Sequence, residues 1–168
     1  MLIRLVHVTD EENHAVLARL CQLYLHDLSE FSAEDLNATG NYTDLRPENV
    51  REDDRLDAYL VQVAGELAGF VVVRQLATGE CPRREIEDFF IVRKYRRLGV
   101  GTDVATEIFR RMPGLWRVAS HEANHASQGF WRALLKRVVR TDYHETTVGG
   151  PHQRLVQEFK IQPEQCAD

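Results

Sequence analysis

Residues 84–111 constrain the fold more than any other stretch of the chain. A β-rich run from Arg84 to Val92, containing Ile86, Phe89, Phe90 and Ile91, leads into Arg96, Arg97, Leu98, Gly99, Val100 and Gly101. A helix is predicted from about Thr102 to Arg111, and Met112, Pro113 and Gly114 end it, because proline lacks a donor and glycine accepts positive φ. Glycines at a strand-to-helix turn let the backbone bend sharply and come close to a ligand, while the first helical amides point outward as donors. Such a turn binds phosphate. It is not a Walker loop, since Gly101 is followed by Thr102 and Asp103 rather than Lys-Ser/Thr. Nor is it a dinucleotide fingerprint, because Val104 stands where a third Gly or Ala belongs.

The remaining elements follow from periodicity and punctuation. Leu2 to Val6 reads as a short strand, and Thr9 with Glu12 three residues later reads as a capping box opening a helix that runs to about Leu28. In that helix Val16, Leu17, Leu20, Leu23, Tyr24 and Leu28 form the apolar stripe, with Cys21 beside it as packing. Ser29 to Arg55 is polar and acidic, punctuated by Asn37, Gly40, Asn41 and Pro47, and is expected to be irregular or looped around a short helix. Tyr59 to Ala64 and Leu67 to Arg74 form a hairpin about Gly65 and Glu66. Trp116 to Ser120 is a strand, and Asn124 caps a helix from about His125 to Val139 with Phe130, Leu134 and Val138 four apart. Tyr143 to Val148 and Arg154 to Phe159 are strands around Gly149, Gly150 and Pro151. The order is that of an α/β chain: a mixed central sheet flanked by helices, a single domain over residues 1–168.

Composition narrows the function. With 43% hydrophobic and 28% charged residues the 168-residue chain is neither disordered nor collagen-like, and no apolar run reaches a bilayer's span of about 18 residues. No secretory signal opens it, and Cys21, Cys81 and Cys166 are too far apart for a disulfide framework or a metal knuckle, so a cytoplasmic location is expected. A net charge of −5 argues against general nucleic-acid binding. The charge is unevenly placed: Met1 to Arg55 holds 12 acidic and 5 basic residues, Cys81 to Arg140 holds 13 basic and 6 acidic ones. A basic half that holds an anion and an acidic half that receives a cation would divide this way. His121 and His125 straddle the predicted strand-to-helix turn, so they imply no helical zinc pair and no metal is expected.

The Arg-x-x-Gly-x-Gly turn in this context resembles the GNAT superfamily of acyl-CoA-dependent N-acetyltransferases, most strongly from about Glu85 to Trp131. The resemblance implies a GNAT-like acyl-CoA N-acyltransferase fold and acetyl-CoA as acyl donor. It implies that Arg96, Arg97, Leu98, Gly99, Val100, Gly101 and Thr102 hold the CoA pyrophosphate, and that Phe89, Phe90 and Ile91 pair through their backbone with the pantetheine arm. A second match, Asn124, Ser127, Phe130 and Trp131, is similar to the family's Asn-x-x-Ala-x-x-Phe/Leu-Tyr. It assigns Asn124 to the pantetheine amide, or to the helix cap, and Ser127 to a position where a small residue lets the helix approach the cofactor. Family members are often dimers to which the final strands contribute, so a homodimer is an expectation.

Amine acetylation needs a base to deprotonate an alkylammonium. The run Glu87, Asp88, Phe89, Phe90 is similar to that of spermidine/spermine acetyltransferases, which points to Glu87 as base; the alternative is a structural ion pair with one of the arginines. Alternation puts Glu85 and Glu87 on one face of the strand and Asp88 on the other. The family's usual acid, a tyrosine, is replaced by Trp131, whose indole is a donor only, so Tyr143 or solvent is the substitute and Trp131 a wall of the thioester pocket. The expected reaction is direct acetyl transfer in a ternary complex to a primary amine of a cationic small molecule, attracted by Glu30, Glu34, Asp35 and Asp44. The alternatives are a non-catalytic acyl-CoA-binding module and a protein lysine or N-terminal acetyltransferase.

Overall fold

The fold is taken from a computed structural model of the chain, which describes residues 2–32, 34–43, 46–149 and 153–162. Asp44, Gly150, Pro151 and Cys166, singled out above, lie outside the described residues. The chain divides into two compact units, residues 1–72 with 88–95 and residues 73–87 with 96–168.

In the first unit, β1 (Ile3–His7) pairs antiparallel with β2 (Leu56–Val63), Leu5 opposite Val61. Helix α1 (Glu11–Leu28) begins one residue later than a Thr9 cap would set it. Asp10 is the N-cap, its carboxylate accepting from the amide of Asn13 at 2.8 Å, which places two acidic residues, Glu11 and Glu12, in the first turn where the helix dipole favours them. The buried face is His14, Leu17, Leu20, Cys21 and Leu25. Leu23 is 52% exposed, contrary to the predicted stripe, because two residues beyond Cys21 is about 200° around the helix. A short helix, α2 (Arg46–Glu52), does interrupt the polar segment. The core joins Leu17, Leu20 and Cys21 to Leu56, Ala58, Leu60, Phe70, Val72 and Phe90, with Tyr24 edge-on to Phe70. Each buried leucine there contributes about 2 kcal/mol.

The hairpin turn sits one residue earlier than predicted. Ala64 and Gly65 both have positive φ, 52° and 87°, so they are the two central residues of the turn, and Glu66 already belongs to β3 (Glu66–Ala77). Gly69 has a separate reason to be glycine: a Cβ there would run into the carbonyl oxygen of Phe90 on β4 (Arg83–Ile91).

In the second unit, α3 (Val100–Arg111) buries Val104, Ala105, Ile108 and Phe109. Phe109 packs edge-on against Trp116, at 4.9 Å, and Phe159, at 5.2 Å. The helix end is held by two side chains: the Trp116 indole donates to Met112 O, and Arg84 donates to Pro113 O. β5 (Gly114–His121) runs parallel to β4 from Arg83↔Leu115 to Ile86↔Val118, and α3 forms the crossover between them. After α4 (His125–Val138), whose buried residues are Gln128, Trp131, Leu134 and Leu135, the chain forms β6 (Tyr143–Val148) and β7 (Arg154–Ile161). β7 lies between β5 and β6, antiparallel to both. The sheet order is β1-β2-β3-β4-β5-β7-β6, a mixed seven-stranded sheet. No helix among the described residues is long and apolar enough to cross a membrane.

Candidate functional site

After β4 the chain makes one 3-10 turn, Arg93–Tyr95, with Tyr95 buried. Arg96, Arg97, Leu98 and Gly99 then stand exposed. Gly99 is the N-cap of α3 at φ 85°, with nothing within 4 Å of where a Cβ would be, so it is the backbone angle that calls for glycine. Helix α3 starts at Val100, two residues earlier than predicted, and has no side-chain cap. Its first α-helical bond runs from Asp103 N to Gly99 O, so the amides of Val100, Gly101 and Thr102 precede the helical ladder. Three amides at a helix start beside two exposed arginines fit a phosphate ester; Asp103 is the acidic residue of that turn. Phe89, Phe90 and Ile91 belong to the other unit, where Phe90 packs against Phe70 at 5.8 Å and Ile91 is buried.

Asn124 is the N-cap of α4, its Oδ1 accepting from Ser127 N at 2.9 Å. Ser127 in turn hydrogen-bonds Ser120 of β5, Oγ to Oγ at 2.8 Å, so the small residue ties the helix to the strand. Trp131 is buried, 4% exposed, with its ring edge-on to Phe130.

Glu87 is held by Arg74, which donates Nε to Oε2 at 2.8 Å and Nη2 to Oε1 at 3.1 Å. This is the ion pair weighed as the alternative for that residue. Two residues back on the same face, Glu85 is buried and accepts from Arg117 Nη2 at 2.6 Å. Glu85 and nearby Glu158 and Glu87 hold the Arg117 guanidinium more firmly protonated than usual, against the cost of its burial. Tyr143 lies opposite Phe159, which pairs with Trp116, and so projects on the side of the sheet covered by α3, opposite the Glu85–Glu87 side. Three inter-strand spacings separate β4 from β6, a lateral distance of roughly 14 Å.

An open cleft of about 670 Å³ lies over the beginnings of β4, β5 and β6, bounded by Arg83, Leu115, Arg117, His144, Glu158 and Lys160. The sequence did not reveal it, because its wall is assembled from strands whose adjacency is nonlocal. Among the described residues, no group of three or more His, Cys, Asp or Glu side chains is placed to hold a metal ion.

The family model described as Acetyltransferase (GNAT) family matches residues 17–135. Among solved structures, an acetyltransferase from Thermus thermophilus is similar with a TM-score of 0.68 and 14% identity, the match covering 96% of this chain and 98% of that one. Aminoglycoside 6'-acetyltransferase type Ii is similar with a TM-score of 0.66 and 15% identity over 98% of this chain and 99% of that one. Ribosomal-protein-alanine N-acetyltransferase from Brucella melitensis gives 0.58 and 19% over 96% and 100%. At these identities the likeness is one of fold. No curated protein matches the sequence.

Proposed function

The chain belongs to the acetyltransferase (GNAT) family and has its acyl-CoA N-acyltransferase fold, and from that premise we propose that it transfers acetyl from acetyl-CoA to a primary amine. The observation that carries this reading is the uncapped start of α3, where the amides of Val100, Gly101 and Thr102 stand beside Arg96 and Arg97. In this reading these residues, with Leu98 and Gly99, hold the pyrophosphate. The backbone of Phe89, Phe90 and Ile91 receives the pantetheine arm, and Asn124, Ser127 and Trp131 line its far end. Asn124 keeps its cap bond to Ser127 N in doing so. Bound acetyl-CoA supplies the acyl group as a thioester.

Glu87 takes a proton from the substrate ammonium, and Arg74 fixes the carboxylate that does so. The freed nitrogen attacks the thioester carbonyl carbon; the C–N bond forms, the C–S bond breaks, and solvent carries to the thiolate the proton that the acylated nitrogen sheds, since Tyr143 projects from the opposite side of the sheet to Glu87. The transfer is direct, in a ternary complex. The acceptor is a cationic small molecule, a reading supported by exposed Glu30, Glu34 and Asp35 in the acidic N-terminal part. The cytoplasm and a homodimer complete the proposal, the latter tested by sedimentation.

A second reading is favoured by one observation: Arg74 occupies both oxygens of Glu87. It is a non-catalytic acyl-CoA-binding module. Calorimetry with acetyl-CoA, followed by a thiol-release assay over amines and peptides, separates the two. Micromolar binding, about −8 kcal/mol, with thiol release supports the transferase. Tight binding with no release from any acceptor supports the module, release with peptides alone assigns a protein acceptor, and no binding up to about 1 mM removes both readings.

A further inference from the structure

We infer that the cleft over β5, β7 and β6 is a carboxylate subsite, and that the amine acceptor is therefore an ω-amino carboxylate, a zwitterion whose ammonium end alone is the cation proposed above. The acceptor half of this inference rests on the transferase reading; the subsite itself rests on the charges of one sheet face.

Strand register arranges that face in rows. Glu85, Arg117, Glu158 and His144 lie in one row across β4, β5, β7 and β6, and Arg83, Leu115 and Lys160 lie in the next. Helix α3 packs on the opposite side, through Trp116 and Phe159, so it does not cover these rows. The carboxylates of the two rows are engaged: Glu85 with Arg117, and Glu158 with Arg83 at 3.6 Å. Glu87, one row further along β4, is engaged with Arg74.

The cations are not all matched. Lys160 has no hydrogen-bond or ionic partner among the described residues, and Arg117 spends one donor, Nη2, on Glu85 while its Nε is buried with no acceptor. Three cations, Arg83, Arg117 and Lys160, face two carboxylates, Glu85 and Glu158, in these rows. Arg84 and Asp142, which also line the cleft, offset each other in the count, and the one surplus positive charge matches one carboxylate rather than a phosphate dianion. Arg117 and Lys160 sit diagonally on adjacent strands, with Cα atoms roughly 8 Å apart, so both reach a group seated between them. Leu115 and Leu76 offer apolar wall for a methylene chain.

Spacing sets the length of the acceptor. Glu87 is about 7 Å along β4 from the Arg117 row and about 14 Å from the Lys160 row. An α-amino acid separates its amine and carboxylate by about 3 Å and falls short, whereas a six-carbon ω-amino acid spans about 7 Å and leaves the rest to the long Arg117 and Lys160 side chains.

The test uses 6-aminohexanoate, hexanoate and hexylamine. Added to isotope-labelled protein without cofactor, the first two are expected to shift the amides of Leu115–Arg117 and Glu158–Lys160, and hexylamine is not. Lys160→Gln, at an exposed position, is expected to weaken 6-aminohexanoate about tenfold. Absent shifts, equal shifts from hexylamine, or an unchanged affinity in the variant would overturn the subsite. In thiol release from acetyl-CoA, 6-aminohexanoate is expected to exceed hexylamine and 4-aminobutanoate about tenfold in kcat/KM, a preference that Lys160→Gln reduces. Shifts with no release from any amine overturn the acceptor assignment together with the transferase reading, and release from other amines without shifts overturns the subsite alone.

Discussion

Arg74 and Glu87 meet through two parallel hydrogen bonds, 2.8 and 3.1 Å, across the β3–β4 hairpin. Their side chains are 26% and 35% exposed, so solvent screens the pair and its loss is expected to cost at most about 1 kcal/mol of stability. Activity is the sharper reading. Glu87→Gln keeps the shape and is expected to lower turnover about 10²-fold with acetyl-CoA affinity intact. Urea unfolding and steady-state kinetics on the same preparation check both halves; an unchanged pH–rate profile would remove Glu87 from the chemistry.

Gly99 separates backbone from cofactor. At φ 85° an L residue is strained by about 1–2 kcal/mol, yet open space surrounds the position, so Gly99→Ala is expected to fold. Gly99→Glu adds a negative charge beside the amides of Val100 to Thr102, and calorimetry is expected to show acetyl-CoA binding abolished.

Gly69 behaves differently. A Cβ on it meets the Phe90 carbonyl oxygen, which is backbone and cannot swing aside. Gly69→Ala is expected to lose about 1–3 kcal/mol in urea unfolding, whereas Gly129→Ala on α4, with open space and an ordinary helical φ, is expected to lose none.

The opposite sign is expected at the first hairpin. Ala64 holds φ 52° as a non-glycine residue, and asparagine tolerates that region better. Ala64→Asn is expected to gain about 0.5–1 kcal/mol, seen as a rise in Tm.

Acid stability tracks Glu145. Hydrogen bonds from Arg132, and a further one from Gln157, hold its carboxyl below the usual glutamate range, more strongly than burial raises it. Because the folded state has the lower pKa, its stabilisation is complete at neutral pH, above the unfolded value. It is lost as pH falls through the folded one. Arg132→Met is expected to move the Glu145 titration upward by carboxyl NMR and to flatten the stability profile in that acid window.

Legibility followed distance along the chain. The turn from Arg96 to Gly101, the α4 cap at Asn124 and the order of elements depend on neighbours within a few residues, and all were readable. The segment from Ser29 to Arg55 was legible only as irregular or looped around a short helix, and α2 is that helix. The cap at Asp10 rather than Thr9 and the turn at Ala64–Gly65 rather than Gly65–Glu66 were off by one residue, because adjacent residues offered nearly equal chemistry. Arg74 as partner of Glu87, and the row Glu85, Arg117, Glu158, His144, needed strand register, which no local pattern carries.

Placing β7 between β5 and β6 has a consequence for biosynthesis. A nascent chain that has emerged only as far as Val148 has made β6 but lacks the strand on which it docks. The cleft and the Arg132–Glu145–Gln157 contact therefore come last, closed by residues 154–161 in one step after the earlier elements have formed. A stop codon just before Arg154 would leave β5 with an exposed edge, and such a product is expected to aggregate rather than to persist as a weakened enzyme.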